Sequence, residues 1–252
     1  MDFSSFLREG ERLDDLQREH LRIIQDPKGF CFGMDSVLLA DFVSARHDHV
    51  LVDLGTGTGI LPLLTWARYH YAHMDALEIQ PDCADRARRS IALNQLQDQI
   101  TVVTGDLKYI RTLLPHAAYD AVVCNPPYTR NESALPARIE QKHIARQESE
   151  CTLEDIAAAA AWLLRDHGHF FVMLPAFRFP ELTQILSSRR MQPKRVRFIH
   201  SRIDSPARIV LVDAMYNAKP GTEFLPPLIT HTASGEVTDE VKRIYGVTDG
   251  KE

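Results

Sequence analysis

The sequence predicts an α/β fold: a seven-stranded, mostly parallel sheet with helices on both faces, an antiparallel strand near its C-terminal end and a short β-hairpin in front. Three observations carry this. From Val50 onward, short apolar runs alternate with helical stretches, the pattern of a parallel sheet covered by helices. A glycine-rich turn, Asp53 to Gly59, follows the first of those runs. Near the end, two strand-like runs are joined by only six residues, Ser201 to Pro206. A parallel crossover needs a dozen or more, so this pair is expected to be antiparallel.

In chain order, residues 21–25 and 30–34 flank Asp26-Pro27-Lys28-Gly29. That tetrapeptide has Asp first, Pro second and Gly last, as a type I turn prefers, and predicts the hairpin. A helix is expected over 36–45 with Asp35 as its N-cap. Buried parallel strands are expected at 50–54, 74–79, 100–104, 121–124 and 169–174. Helices are expected at 60–69, at 81–96 with Pro81 in its first position, at 152–165 and at 179–188. The antiparallel pair is 195–200 with 207–216. Beyond Asn217 the Pro220-Gly221 and Pro226-Pro227 pairs predict an irregular tail with a short helix at 239–244. The expected division is an N-terminal extension (1–34), a catalytic domain (35–217) and a C-terminal tail (218–252) packing on it.

Composition bounds the function. The chain has 252 residues, 44% hydrophobic and 25% charged. These values suit a soluble globular protein with one sizeable core and exclude disordered, collagen-like and coiled-coil chains. The longest apolar run, 156–164, is too short to span a membrane. The N-terminus lacks the basic-then-apolar order of a secretory signal. Cys31, Cys83, Cys124 and Cys151 are far apart and form no C-x-x-C pair, so neither a disulfide framework nor a zinc site is expected and a reducing cytoplasm is. His47 with His49, and His167 with His169, read as ordinary surface or strand histidines.

Two motifs carry chemistry. In Asp53-Leu54-Gly55-Thr56-Gly57-Thr58-Gly59, alternate glycines allow a tight turn and a close approach by a ligand. Glu78 lies 19 residues beyond Gly59, at the end of the next strand, where a carboxylate can accept both hydroxyls of a ribose. Asp106 follows the third strand and can hydrogen-bond an adenine amino group. No Gly-Lys-Ser/Thr follows the turn, so this is not a Walker A loop. The third glycine comes one residue early for a dinucleotide site. The acid at Asp53 disfavours a pyrophosphate, and a cationic nucleoside fits better.

The second motif, Asn125-Pro126-Pro127-Tyr128, directly follows the fourth strand. Open parallel sheets bind ligands outside the carboxyl ends of their strands at the switch point, so both motifs should face one pocket. The Asn125 side chain and the Pro126 carbonyl are acceptors, and Tyr128 offers a face for a planar group. Two acceptors on a planar amine would draw it toward a tetrahedral shape and stabilise the charge growing on it. The chemistry they suit is methylation of a planar amino nitrogen, with no metal required.

Together these motifs resemble class I S-adenosylmethionine-dependent methyltransferases of the amino-methylating branch. Glu11-Arg12-Leu13-Asp14-Asp15-Leu16, residues 21–25, residues 30–39, Ile144-Ala145-Arg146 and Asp239 to Gly246 resemble the tRNA1(Val) adenine-N6 methyltransferase family, over nearly the whole chain. That resemblance implies a Rossmann-like fold, S-adenosyl-L-methionine as cofactor, and methyl transfer to N6 of an adenosine beside the tRNA anticodon. By position, Asp53, Gly55, Thr56, Gly57 and Gly59 would cradle the cofactor with Asp35 and Asn125. Glu78 and Ile79 would hold its ribose side, Asp106 and Leu107 its adenine side. Asn125, Pro126, Pro127 and Tyr128 would hold the target base. The alternatives are a protein glutamine-N5, rRNA or DNA amino-methyltransferase using the same pocket. A binding scaffold without activity and a hydride-transfer enzyme stand further off.

A net charge of −5 argues at face value against a nucleic-acid partner. Its distribution argues otherwise. Residues 178–208 carry eight basic and two acidic side chains, a local charge of +6 that leaves −11 elsewhere. Phosphate contacts dominate RNA affinity and screening makes them local, so Arg189, Arg190, Lys194, Arg195 and Arg197 become candidate contacts to tRNA, with Tyr128. The polar stretch 129–150 beside the second motif reads as a lid.

Overall fold

A computed structural model describes residues 3–29, 31–126 and 151–246. The segment 129–150 lies outside them, and with it the expected lid. Seven strands form the body of one sheet: β3 (Val50–Leu54), β4 (His73–Glu78), β5 (Ile100–Thr104), β6 (Tyr119–Cys124), β7 (Leu164–Pro175), β8 (Met191–His200) and β9 (Ala207–Tyr216). Their spatial order is β5-β4-β3-β6-β7-β9-β8. Only β9 runs against its neighbours. The tail adds two short strands, β10 (Glu223–Phe224) and β11 (Leu228–Ile229), both parallel to β8. Pro226 and Pro227 separate them, since proline has no N–H to continue a ladder.

From β3 the chain first steps outward through β4 to β5, then crosses back to β6 and continues the other way. Right-handed crossovers in opposite directions place helices on opposite faces. One face packs against α1 (Met34–Phe42), α2 (Ile60–Tyr69) and the C-terminal α7 (Asp239–Tyr245), around Leu39, Leu63, Val123, Phe171 and Val241. The other packs against α4 (Ile110–Leu113), α5 (Leu153–Leu163) and α6 (Phe179–Ser188), around Val122, Phe170, Ala157 and Leu186. The helix α3 (Pro81–Leu93) joins β4 to β5. The alternation of Val122/Val123 and Phe170/Phe171 between the two cores is the period of a strand buried on both faces.

Several boundaries differ from expectation for visible reasons. The hairpin pairs β1 (Arg12–Asp15) with β2 (Arg22–Gln25), not β2 with the segment after the turn. The Asp26–Gly29 turn does close, Gly29 N–H donating to the Asp26 carbonyl at 3.0 Å. No strand follows it because the other edge of β2 is taken. Arg22 N–H donates to Asn94 Oδ1 at 2.9 Å and Ile24 N–H to Ser90 Oγ at 3.0 Å. The Phe32 N–H donates instead to the Gln25 side chain. Asn94 also ends α3 three residues early, its Nδ2 donating to the Ser90 and Arg22 carbonyls. The N-cap of α1 is Gly33 rather than Asp35, which lies inside the first turn. Thr152 caps α5 in a reciprocal capping box with Asp155.

Candidate functional site

The two motifs end neighbouring parallel strands. Asp53 on β3 is in register with Val123 on β6, so the chain leaves β3 into the glycine turn beside the point where it leaves β6 into Asn125. The Cys124 thiol, buried as expected, donates to the Leu54 carbonyl at 3.2 Å and ties the two exits together. Burial raises its pKa well above the ordinary thiol value.

The turn needs its glycines. Gly55, Gly57 and Gly59 have φ of +81°, +57° and +89°, the left-handed region that side chains rarely adopt. A Cβ on Gly55 or Gly57 would meet nothing within 4 Å, so these two line open space; one on Gly59 would meet Ala87 of α3 at 3.4 Å. The first pair therefore opens a cradle and the third lets α3 pack close. Gly55 and Thr56 N–H both donate to the Leu77 carbonyl at 2.9 Å, docking the turn on β4.

Glu78 is buried and already oriented. Its Oε2 accepts from Gly57 N–H and its Oε1 from Gln80 N–H, both at 2.8 Å. Beyond it Ile79 is 53% exposed, an apolar surface beside a carboxylate. The Glu78 carbonyl accepts from Gly105 N–H, bringing Asp106 and Leu107 to the same end of the sheet. Asp106 caps a short 3-10 turn, accepting from Lys108 N–H at 2.9 Å. Asp35 sits half-buried in the first turn of α1; burial, and after it the Asp35 charge, raises the Tyr245 pKa.

Three buried polar groups at this site are unsatisfied. Among the described residues, both carboxylate oxygens of Asp53, the Thr56 hydroxyl and Asn125 Oδ1 have no hydrogen-bond partner. Burial lifts the Asp53 pKa to about 7; the facing Thr56 hydroxyl opposes the rise without closing a hydrogen bond, and Glu78 adds to it. Buried polar groups are normally paired, and orphans of this kind mark where a ligand supplies the missing partner. A cationic nucleoside fits this donor-poor set: hydroxyls and ammonium donate, and every vacancy here accepts or can accept. The glycine cradle, Asp53, Glu78 and the Ile79 surface therefore suit S-adenosylmethionine. Among the described residues no cluster of three metal-ligating side chains occurs, and no helix is long and apolar enough to cross a membrane.

Pro126 is buried beside Asn125, whereas Pro127 and Tyr128 lie outside the described residues. The basic segment is not gathered into one patch. Arg195 Nε donates to Asp213 at 2.8 Å, its Nη2 to the Phe42 carbonyl and Ser44 Oγ, and its guanidinium lies over the Phe42 ring. Arg197 donates to Glu240 and to the Pro226 carbonyl. Lys194 donates to the Lys219 carbonyl. Across a register shift at Lys194, Arg195 pairs with Asp213 and Arg197 with Leu211, on the face covered by α1 and α7. Arg189 and Arg190 are exposed, but they precede β8 at the end of the sheet opposite the two motifs.

The residue that sequence reasoning passed over is Ser36, buried in α1, whose Oγ accepts from Asn125 Nδ2 at 3.4 Å. A contact spanning 89 residues leaves no local motif. Also unforeseen is Gln25, fully buried, whose Nε2 donates to Thr58 Oγ1 at 2.7 Å and links the hairpin to the glycine turn.

Comparison with known proteins agrees with this geometry. Residues 23–188 match the methyltransferase small domain family. A Porphyromonas gingivalis protein named tRNA1(Val) (adenine(37)-N6)-methyltransferase is 28% identical over 84% of this chain and 86% of its own. A protein of the same name from Phocaeicola vulgatus is 32% identical over 71% and 74%. Among solved structures, a predicted O-methyltransferase from Agrobacterium tumefaciens superposes with a TM-score of 0.69 at 23% identity, covering 84% of this chain and 96% of that one. The M. jannaschii TYW2 protein in complex with AdoMet superposes at 0.56 and 15%, covering 83% and 87%. Both likenesses speak for the fold. With its glycine cradle and its unsatisfied acceptors at one switch point, the chain belongs to the methyltransferase small domain family and is a class I S-adenosylmethionine-dependent methyltransferase.

Proposed function

We propose that the protein methylates the exocyclic N6 amine of an adenosine in tRNA, beside the anticodon. The observation that carries this reading is Asn125 Oδ1, a buried acceptor without a partner among the described residues, beside the glycine cradle. The names of the relatives support the choice of tRNA and of the base.

S-adenosylmethionine, when bound, supplies an electrophilic sulfonium methyl. The chain supplies placement and charge. Asn125 Oδ1 and the Pro126 carbonyl accept the two N–H bonds of the amine, bend it out of conjugation and meet the positive charge that grows on nitrogen. Holding the amine at these two acceptors places it for the methyl, which converts a bimolecular encounter into a positioned one. A base within an RNA loop reaches such a site at low cost because it is unpaired.

Incubation with labelled S-adenosylmethionine and total tRNA, followed by nucleoside analysis, tests the reading. N6-methyladenosine is the expected product. Label in protein rather than RNA would replace it with glutamine-amide methylation. Asn125→Ala should lower transfer by about 100-fold or more and leave cofactor affinity within a few-fold.

A further inference from the structure

We propose that Ser36 is a positioning residue that holds the Asn125 carboxamide in place for the acceptor amine. The inference rests on the methyl-transfer reading above and names a residue that no motif assigns.

A carboxamide is nearly symmetric in shape, and a half-turn about its last bond exchanges donor for acceptor. An amine about to be methylated presents N–H bonds, so only the oxygen end of Asn125 is productive. With that oxygen turned to the amine, Nδ2 faces into the protein and needs an acceptor of its own. Ser36 Oγ is 3.4 Å from Nδ2. The Ser36 residue is 3% exposed, and Nδ2 to Oγ is the hydrogen bond it makes among the described residues. Catalytic contacts are often long before the substrate binds and tighten in the complex.

The platform under this contact is rigid. Val37, Leu38, Leu39 and Phe42 of α1 are all buried, and Phe42 meets Phe171 of β7 edge to face at 6.3 Å. Asn125 is fixed from its own side by the buried strand β6 and by Pro126. Removing the Ser36 hydroxyl takes away the partner that holds the carboxamide, so Asn125 is no longer fixed for the amine and turnover falls without any change at the cofactor cradle.

The test compares Ser36→Ala and Ser36→Cys with the parent protein, using total tRNA and S-adenosylmethionine. Turnover, KM for tRNA, cofactor affinity by calorimetry and the melting temperature are all measured. For Ser36→Ala the expected result is a roughly tenfold fall in kcat, with KM and cofactor affinity within about threefold and a melting temperature within a few degrees. The cysteine variant, keeping a weak acceptor, should lie between. A kcat for Ser36→Ala within twofold of the parent would overturn the proposal. So would equal losses in both variants accompanied by a marked fall in melting temperature, which would make Ser36 a packing residue. Asn125→Ala separates the two levels: if it stays active, the site reading itself fails, whereas an inactive Asn125→Ala beside a fully active Ser36→Ala removes only the role of Ser36.

Discussion

Two aspartates lie on one row of one face of the sheet and have opposite environments. The row runs Asp53 on β3, Val123 on β6, Phe171 on β7, Asp213 on β9 and Arg195 on β8. Both aspartates are buried, at 0% and 2% exposure. Asp213 is fully engaged: Oδ1 meets His169 Nδ1 at 2.7 Å and Oδ2 accepts from Arg195 at 2.8 Å, in a cluster that also stacks His169 on Phe171. Among the described residues Asp53 has no partner on either oxygen. Burial is therefore not what separates a structural carboxylate from a functional one. The partner is, and in our proposal for the site the cofactor supplies the one that Asp53 lacks.

The largest effect that can break this comparison is at Asp53, and it has an unusual sign. Its folded pKa of about 7 stands above the ordinary carboxyl value of 3.8. Below that lower value both states hold the proton and no penalty exists. As pH rises toward 7 the unfolded carboxyl ionises while the folded one resists, so stability of the cofactor-free protein falls through this window and levels off above it. Asp53→Asn should remove the fall and stabilise the cofactor-free protein at pH 8 by as much as about 4 kcal/mol, read from urea unfolding. The same change should weaken cofactor binding at least about tenfold. In the parent, donors on the cofactor favour the ionised carboxylate, so binding at pH 6 should expel close to one proton, seen by calorimetry in buffers of different ionisation heat. An Asp53→Asn protein that is less stable than the parent would erase the distinction between the two aspartates.

Asp213→Ala should act in the opposite direction, costing about 3 kcal/mol because it leaves Arg195 partly buried without its carboxylate. Cofactor affinity should not change. A smaller effect of the same kind is expected at Glu11, whose side chain is nearly buried between Arg86 and Arg89 of α3. Hydrogen bonding to Arg89 is the largest cause that lowers its pKa to about 2, against the opposing effect of burial. Its contribution is present above about pH 4.5 and is lost as pH falls toward 2. Glu11→Gln should cost about 2 kcal/mol at pH 7 and nothing at pH 2. Glu11 and Asp53 thus give pH profiles of opposite slope in one molecule.

What the sequence made legible follows the range of each interaction. The glycine turn could be read because its φ values exclude other residues locally, and Asn125 because its proline neighbours fix it locally. The antiparallel pairing of β8 with β9 followed from their six-residue connection, which is also written along the chain. The hairpin could not be read from its turn alone. Arg12-Leu13-Asp14-Asp15 has no strand pattern of its own, and its pairing is decided by Ser90 and Asn94, which occupy the far edge of β2 from 66 and 72 residues away. Arg195 and Arg197 looked like free charge because a strand's facing depends on register, and the shift at Lys194 is invisible in composition. Ser36 was silent for the same reason: its meaning lies in a residue on another strand.

The smallest expected effect concerns the two ends of the sheet and the RNA. The turn between β8 and β9 stands at the carboxyl end of β7, since Pro175 pairs with Ile209 and His200 with Ala207. That is the end holding both motifs. It carries Arg202 next to Ile203 at 76% exposure, Arg208 follows at the start of β9, both arginines are exposed, and Phe177 at 66% follows β7 at the same end. Arg189 and Arg190 stand at the other end, where the Arg190 carbonyl accepts from Asn217 N–H. A polyanion seated over the site reaches the first pair and not the second. Each lost phosphate contact should lower the salt dependence of binding by roughly one unit of slope. Arg202→Ala with Arg208→Ala should therefore weaken tRNA binding and flatten its salt dependence by about two units, while Arg189→Ala with Arg190→Ala leaves both unchanged. The reverse outcome would mean that the RNA approaches from the amino end of the sheet, and that the unsatisfied acceptors at the carboxyl end serve something other than an RNA base.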